Sequence, residues 1–234
     1  MHDLGHAFAT ALRLIVGRDP DLVEIVRLSL FVSITSVALA SLAGLPLGAA
    51  VALFRFPGRR VAAIVLNAFM GLPPVVVGLI IYLLLSRSGP LGVFGLLFTP
   101  AAMIVAQALL ITPLIAALTR QVVEDLWREY EEQLRSLGAG PARALPTLLW
   151  DARFSLLTAV TAGFGRATAE VGAVMIVGGN IDHVTRVMTT TIVLETSKGD
   201  LPLALGLGFI LILISVSING GAYMLAEFVR RRQA

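Results

Sequence analysis

The sequence predicts an all-α membrane protein: about five transmembrane helices, a charged cytoplasmic loop and a short N-terminal interfacial helix. Three observations predict it. The chain of 234 residues is 57% hydrophobic and only 14% charged, with a mean hydropathy of +0.88, more apolar surface than one water-facing core can hide. The apolar residues gather into five long stretches, each near the roughly 20 residues that cross a bilayer core. The charges gather elsewhere, a third of them within residues 120–153.

The elements follow in order. An N-terminal segment, 1–25, contains "AFATALRLIV" at 7–16, which is expected to lie along the membrane surface as an amphipathic helix. It lacks the basic and apolar blocks of a cleavable signal peptide. A transmembrane domain, 26–228, then carries spans at about 28–54, 61–85, 100–118, 154–177 and 201–226. In lipid the backbone must satisfy its own hydrogen bonds, so these are helices. Four of them are free of charge, and the fourth in order contains Arg166 and Glu170. Pro73-Pro74 kinks or breaks the second, since Pro74 has no N–H and disfavours helix at Pro73. Such a break is either a plain proline kink or a pathway-lining interruption. "PLGVFGLLFT" at 90–99 is too short to cross and is expected to turn at the interface. Residues 229–234 form a tail.

Basic residues set the orientation. Arg55, Arg59 and Arg60, the five arginines of the loop 120–153, and Arg230, Arg231 and Arg232 fall on one side; six basic residues fall on the other. The positive-inside rule places the N-terminus outside, and the loop and C-terminus inside. Within the loop, Val123, Trp127, Tyr130, Leu134 and Leu137 recur at helical spacing over 121–137. Gly138 suits the C-terminal cap, and Pro141 suits the first turn of a second short helix. Composition alone fits a solvated loop as well as a docking site.

Several functions are excluded. The chain has no cysteine and one lysine, Lys198, with no Gly-Lys pair, so it contains no P-loop. No catalytic constellation gathers, and no cofactor or metal site is expected; the terminal pair His2 and His6 is a poor metal site, since termini are usually mobile, and the lone loop histidine His183 is assigned no role. The arginines lie between apolar runs rather than in one patch, which argues against nucleic acid. Arg166 and Glu170, four residues apart, either pair within the membrane or flank a pathway, with Arg166 attracting an anion or holding a gate. "TRVMTTTIVLETSKGD" at 185–200 is expected to be an outer loop. Its hydroxyls, with Thr189 and Thr190 among them, suit an oxyanion or simply face water.

The loop also resembles the cytoplasmic EAA loop of type I ABC importer permeases. Glu132, Gln133 and Leu134 stand at the Glu-Ala-Ala positions and Gly138 at the glycine; Leu148, Trp150 and Asp151 stand where the family has Ile, Leu and Pro. "GLPPVVVGL" at 71–79, "RATAEVGAV" at 166–174 and "GGNIDHVTRVMTTTIVLETSKGD" at 178–200 resemble the molybdate, sulfate and tungstate group, the last segment most of all the tungstate importer permease. The resemblance implies a coupling helix that docks on a separate ATPase through Glu132, Leu134, Leu137, Gly138, Ala139, Pro141 and Leu145. It also implies a pathway or gate near Pro73, Pro74, Arg166, Glu170, Thr189 and Thr190. The implied partners are a second copy of the chain, two ATP-binding cassette subunits that hold ATP and Mg, an extracytoplasmic substrate-binding protein and membrane lipid. The implied place is a prokaryotic cytoplasmic membrane. Molybdate or sulfate permeases are the alternatives within the group; an ion-gradient transporter and a membrane scaffold are the alternatives outside it.

Overall fold

The computed structural model describes Leu12, Gly17 and residues 20–233. The surface helix expected at 7–16, and His2 and His6, lie outside the described residues apart from Leu12. Nine α-helices follow one another among the described residues: α1 Pro20–Leu53, α2 Arg59–Phe69, α3 Pro74–Leu85, α4 Pro100–Ser136, α5 Pro141–Asp151, α6 Arg153–Thr168, α7 Gly172–Gly178, α8 Met188–Lys198 and α9 Leu201–Gln233. A single 3-10 turn, Gly92–Phe94, interrupts the link from α3 to α4. Three helices are long and apolar enough to cross a membrane, namely α1, α4 and α9. The number rises to five if α2 with α3, and α6 with α7, each form one bent span.

The chain divides into two compact units. One comprises residues up to 36, 73–107 and 165–218; the other comprises 37–72, 108–164 and the rest of the C-terminus. In the second unit α1 and α4 run parallel, because Gly44 faces Thr112 and Ile115 while Gly48, four residues on, faces Ala116 and Thr119. A Cβ on Gly48 would overlap the Ala116 carbonyl, so only glycine allows this approach. Below the crossing, Ala49, Ala52 and Leu53 close a core with Val123, Trp127, Ala144 and Leu148. In the first unit α3 lies against α7, with the Gly78 position 2.7 Å from Ala173 Cα. Met188, Leu207 and Ile210 form a separate apolar core there.

Four sequence expectations are corrected. Residues 100–118 and 121–137 are one unbroken helix, α4: the polar face begins on the helix without any residue that would stop it. The span expected at 154–177 is interrupted at 169–171, where no proline announces a break. The loop expected at 185–200 contains a helix, α8, at whose start Thr190 and Thr191 donate to the Val187 carbonyl. The last helix continues past the expected end of the span to Gln233. The short stretch at 90–99 does turn, and Val93 is 95% exposed.

The close crossing makes a prediction. Gly48→Val should lower the thermal stability of the detergent-solubilised protein by about 1–3 kcal/mol or more. Gly208→Ala, where an added Cβ meets nothing within 4 Å, should change it by less than about 0.5 kcal/mol. Equal effects at the two positions would mean that α1 and α4 do not touch there.

Candidate functional site

The first candidate site is the interruption between α6 and α7. A broken helix at membrane depth frees backbone groups that lipid cannot satisfy. Here side chains from two other helices, and one from the break, take them up. Gln107 of α4 donates from Nε2 to the Ala167 carbonyl at 3.2 Å. Thr189 of α8 donates to the Glu170 carbonyl at 3.0 Å. Glu170 turns its own carboxylate back to accept the Ala173 N–H at 3.1 Å, at the start of α7. Ser29 of α1 accepts the Met188 N–H at 2.7 Å, fixing the start of α8. Glu170 is 6% exposed and Gln107 is 4% exposed. Beside them Ser29, Ser33, Gln107, Thr168 and Thr189 line a cavity of about 20 Å³, room for one water.

This geometry corrects the reading of Arg166 and Glu170 as partners on one helix face. The helix ends at Thr168, so the four-residue spacing no longer places them together. Glu170 serves the backbone instead, and no hydrogen bond or ion pair engages the half-buried Arg166 among the described residues. Thr189 and Thr190 are buried, with both hydroxyls committed to backbone carbonyls. Pro73 and Pro74 separate α2 from α3: Pro73 is the N-cap and Pro74 the first helical residue, where a missing N–H costs nothing. Sequence reasoning missed Gln107, a polar residue in an otherwise apolar span. Its isolation was the available signal.

The second candidate site is the tip formed by the end of α4 and by α5. Gly138, at φ 73, closes α4 in a Schellman motif: Ala139 N–H bonds to the Leu134 carbonyl at 2.8 Å and Gly138 N–H to that of Arg135 at 3.0 Å. Pro141 then opens α5. Leu134 and Leu145 pack against the unit's own core, with Tyr130 and Leu149. Glu132 and Gly138 are exposed, and Ala139 and Pro141 are partly so. Leu137 is 82% exposed and Trp150 68%; these are large apolar side chains presented to an outside surface. Arg153 lies over Trp150 at 4.7 Å and over Phe154 at 4.6 Å, holding the indole in place. Trp150 was noted in the sequence only as a departure from the family pattern, because an amphipathic wheel does not tell which face the core takes.

At the base of this tip, Glu124 is shared by Arg59 at 3.4 Å, Arg120 at 2.5 Å and Arg128 at 3.1 Å. Arg59 also donates to the Val51 and Ala52 carbonyls, capping α1. In the first unit His183 meets Glu24 at 2.9 Å, a pair 159 residues apart in sequence. The Glu24 hydrogen bond raises the imidazole pKa above its ordinary 6.5, and the charges of Asp182 and Glu24 add to the effect.

The description "binding-protein-dependent transport system inner membrane component" matches residues 44–234. The chain is 42% identical over 227 residues to the tungstate uptake system permease protein TupB of Peptoclostridium acidaminophilum, covering 97% of this chain and 100% of that one. It is 40% identical to a probable anion ABC transporter permease of Haloferax volcanii, over 85% of this chain and 88% of that one. It is 38% identical to the TupB of Campylobacter jejuni, over 91% and 89%.

Two predictions follow from the geometry. Gly138→Val should cost about 1–2 kcal/mol, read as faster hydrogen exchange at Ala139 and the last turn of α4, and Gly138→Asn should cost less, because Asn tolerates the left-handed region. Equal exchange in both variants would dismiss the cap. For His183, the folded-state pKa is raised, so the pair stabilises the fold fully below pH 6.5 and its contribution fades as pH rises through the raised value. An NMR titration should place the His183 midpoint above that of Glu24→Gln; coincident midpoints would refute the pairing.

Proposed function

We propose, from the premise that this chain belongs to the binding-protein-dependent transport system inner membrane components, that it is the permease subunit of an ATP-driven importer of tungstate or a closely related tetrahedral oxyanion. The observation that carries this reading is the end-to-end likeness to tungstate uptake permeases. Two copies enclose the pathway around a two-fold axis, since five spans are few to close one alone. An external binding protein delivers the anion. Two partner ATPases hold ATP and Mg and supply the force.

The tip of α4 and α5 is the docking element. The parallel course of α1 and α4 supports placing Arg55, Arg59 and Arg60 on the same side as this tip, the cytoplasmic side by the basic-residue rule. The N-terminus is then outside and the C-terminus inside. Leu137 and Trp150 make the contact, with Glu132, Gly138, Ala139 and Pro141 around them. Leu134 and Leu145 hold the tip to its own core, so a push on α5 reaches α4 and α1 without slack.

The broken segments serve the gate. Pro73 and Pro74 divide one pathway element, and residues 169–171 divide another. Arg166 is the charge that meets the anion, because its guanidinium is not neutralised by Glu170. Glu170, Thr189 and Thr190 hold the break in shape rather than touch the cargo. Nucleotide binding in the partners biases a two-state bundle between outward and inward access.

Uptake into liposomes tests the whole reading. The chain, reconstituted with its ATPase and binding protein, should take up tungstate only with hydrolysable ATP, and excess molybdate or sulfate should compete more weakly than unlabelled tungstate. Trp150→Asp should lower both ATPase capture and transport by about tenfold or more, as loss of an aromatic anchor does. Uptake that persists without ATP hydrolysis overturns the ABC reading; stronger competition by sulfate overturns the choice of anion.

A further inference from the structure

The turn between α1 and α2 gathers more positive charge than the chain neutralises. Residues 54–60 read "FRFPGRR", three arginines and no acid. The Phe56 carbonyl accepts the Arg59 N–H at 3.2 Å and Gly58 sits at φ 88, so the chain turns tightly and carries Arg55, Arg59 and Arg60 on one short bend. Arg59 is engaged: it caps the α1 carbonyls of Val51 and Ala52 at 2.8 and 2.7 Å and reaches Glu124. Glu124 is already divided between Arg120 and Arg128 as well. Arg55 and Arg60 are both exposed, and among the described residues no acid pairs with either.

Apolar residues stand immediately beside these two cations. Phe54 and Phe56 are exposed on the bend, and Val61 and Ile64 on α2 are 62% and 66% exposed. The opposite face of α2, with Ala62, Ala63 and Leu66, and Met70 just after it, packs on Val51, Ala116 and Ala117, which leaves the exposed face free. Cations next to aromatic rings, followed by an aliphatic helix face, match a headgroup, an interface and an acyl chain in that order. An acidic protein surface would match the charge but leave the aliphatic face uncovered.

We infer that this bend is a binding site for an anionic phospholipid, with the phosphate on Arg55 and Arg60 and an acyl chain along Val61 and Ile64. The guanidinium fork suits phosphate oxygens. The site steadies the α1–α2 bend at the membrane surface, and it stands whichever solute the permease carries.

Native mass spectrometry of the full-length protein in detergent tests it, with phosphatidylglycerol and phosphatidylcholine of the same chains as probes. The wild type should retain phosphatidylglycerol in preference by about fivefold or more. Arg55→Gln with Arg60→Gln should abolish the preference, Arg55→Lys with Arg60→Lys should keep part of it, and Arg87→Gln, at an exposed arginine just after α3, should leave it whole. A monodisperse, helical double variant that still prefers phosphatidylglycerol overturns the site, as does equal retention of both lipids by the wild type. Displacement of the lipid by millimolar inorganic phosphate would make this a free-anion site instead. Loss of ATPase capture by the Gln double variant in lipid-free detergent would make it a protein contact.

Discussion

The governing constraint is that a bilayer offers a peptide group no partner. Every N–H and C=O released by a broken helix must be met from within the protein. The polar residues that survive inside this apolar chain are placed by that demand. Gln107, Thr189 and Glu170 converge on the gap at 169–171, and Ser29 meets the start of α8. An isolated buried glutamine or carboxylate in lipid would be costly. Bonded to backbone at the gap, each makes a helix break tolerable.

A second demand acts at the crossing of α1 with α4. Without a hydrophobic force between helices in lipid, association depends on close fit, and small residues permit it. Gly44 and Gly48 bring the two backbones together, and Arg59 then ties the end of α1 to Glu124 of α4. The tip at α5 rests on this pair through Ala144 and Leu148. The exposed Trp150 and Leu137 are therefore carried on packed helices rather than on a loop.

Some of this architecture was legible in the residues and some was not. Apolar length located the helices, since a charge-free run such as 28–54 or 201–226 has no other solvent to occupy. Proline chemistry located the break at Pro73-Pro74, and the positive φ at Gly138 followed from its place after an amphipathic run. The gap at 169–171 was not legible. Its residues, Ala169, Glu170 and Val171, are ordinary helix formers, and the partners that meet the break, Gln107 on the Ala167 carbonyl and Thr189 on the Glu170 carbonyl, come from distant parts of the chain. The same cause hid α8, whose threonine-rich sequence reads as a solvated loop until the hydroxyls are seen to bond to Val187 and Glu170.

The sequence by itself determined the solvent of this protein, its helical class and the turn at Gly138. These are local or compositional properties, set by transfer from water and by the conformational reach of single residues. Only the tertiary structure decided that Glu170 caps a helix instead of pairing with Arg166, that Leu134 and Leu145 face inward while Trp150 faces out, and that His183 finds Glu24. Each of those outcomes depends on which distant group offers the better partner. Distance along the chain conceals that choice, and packing makes it.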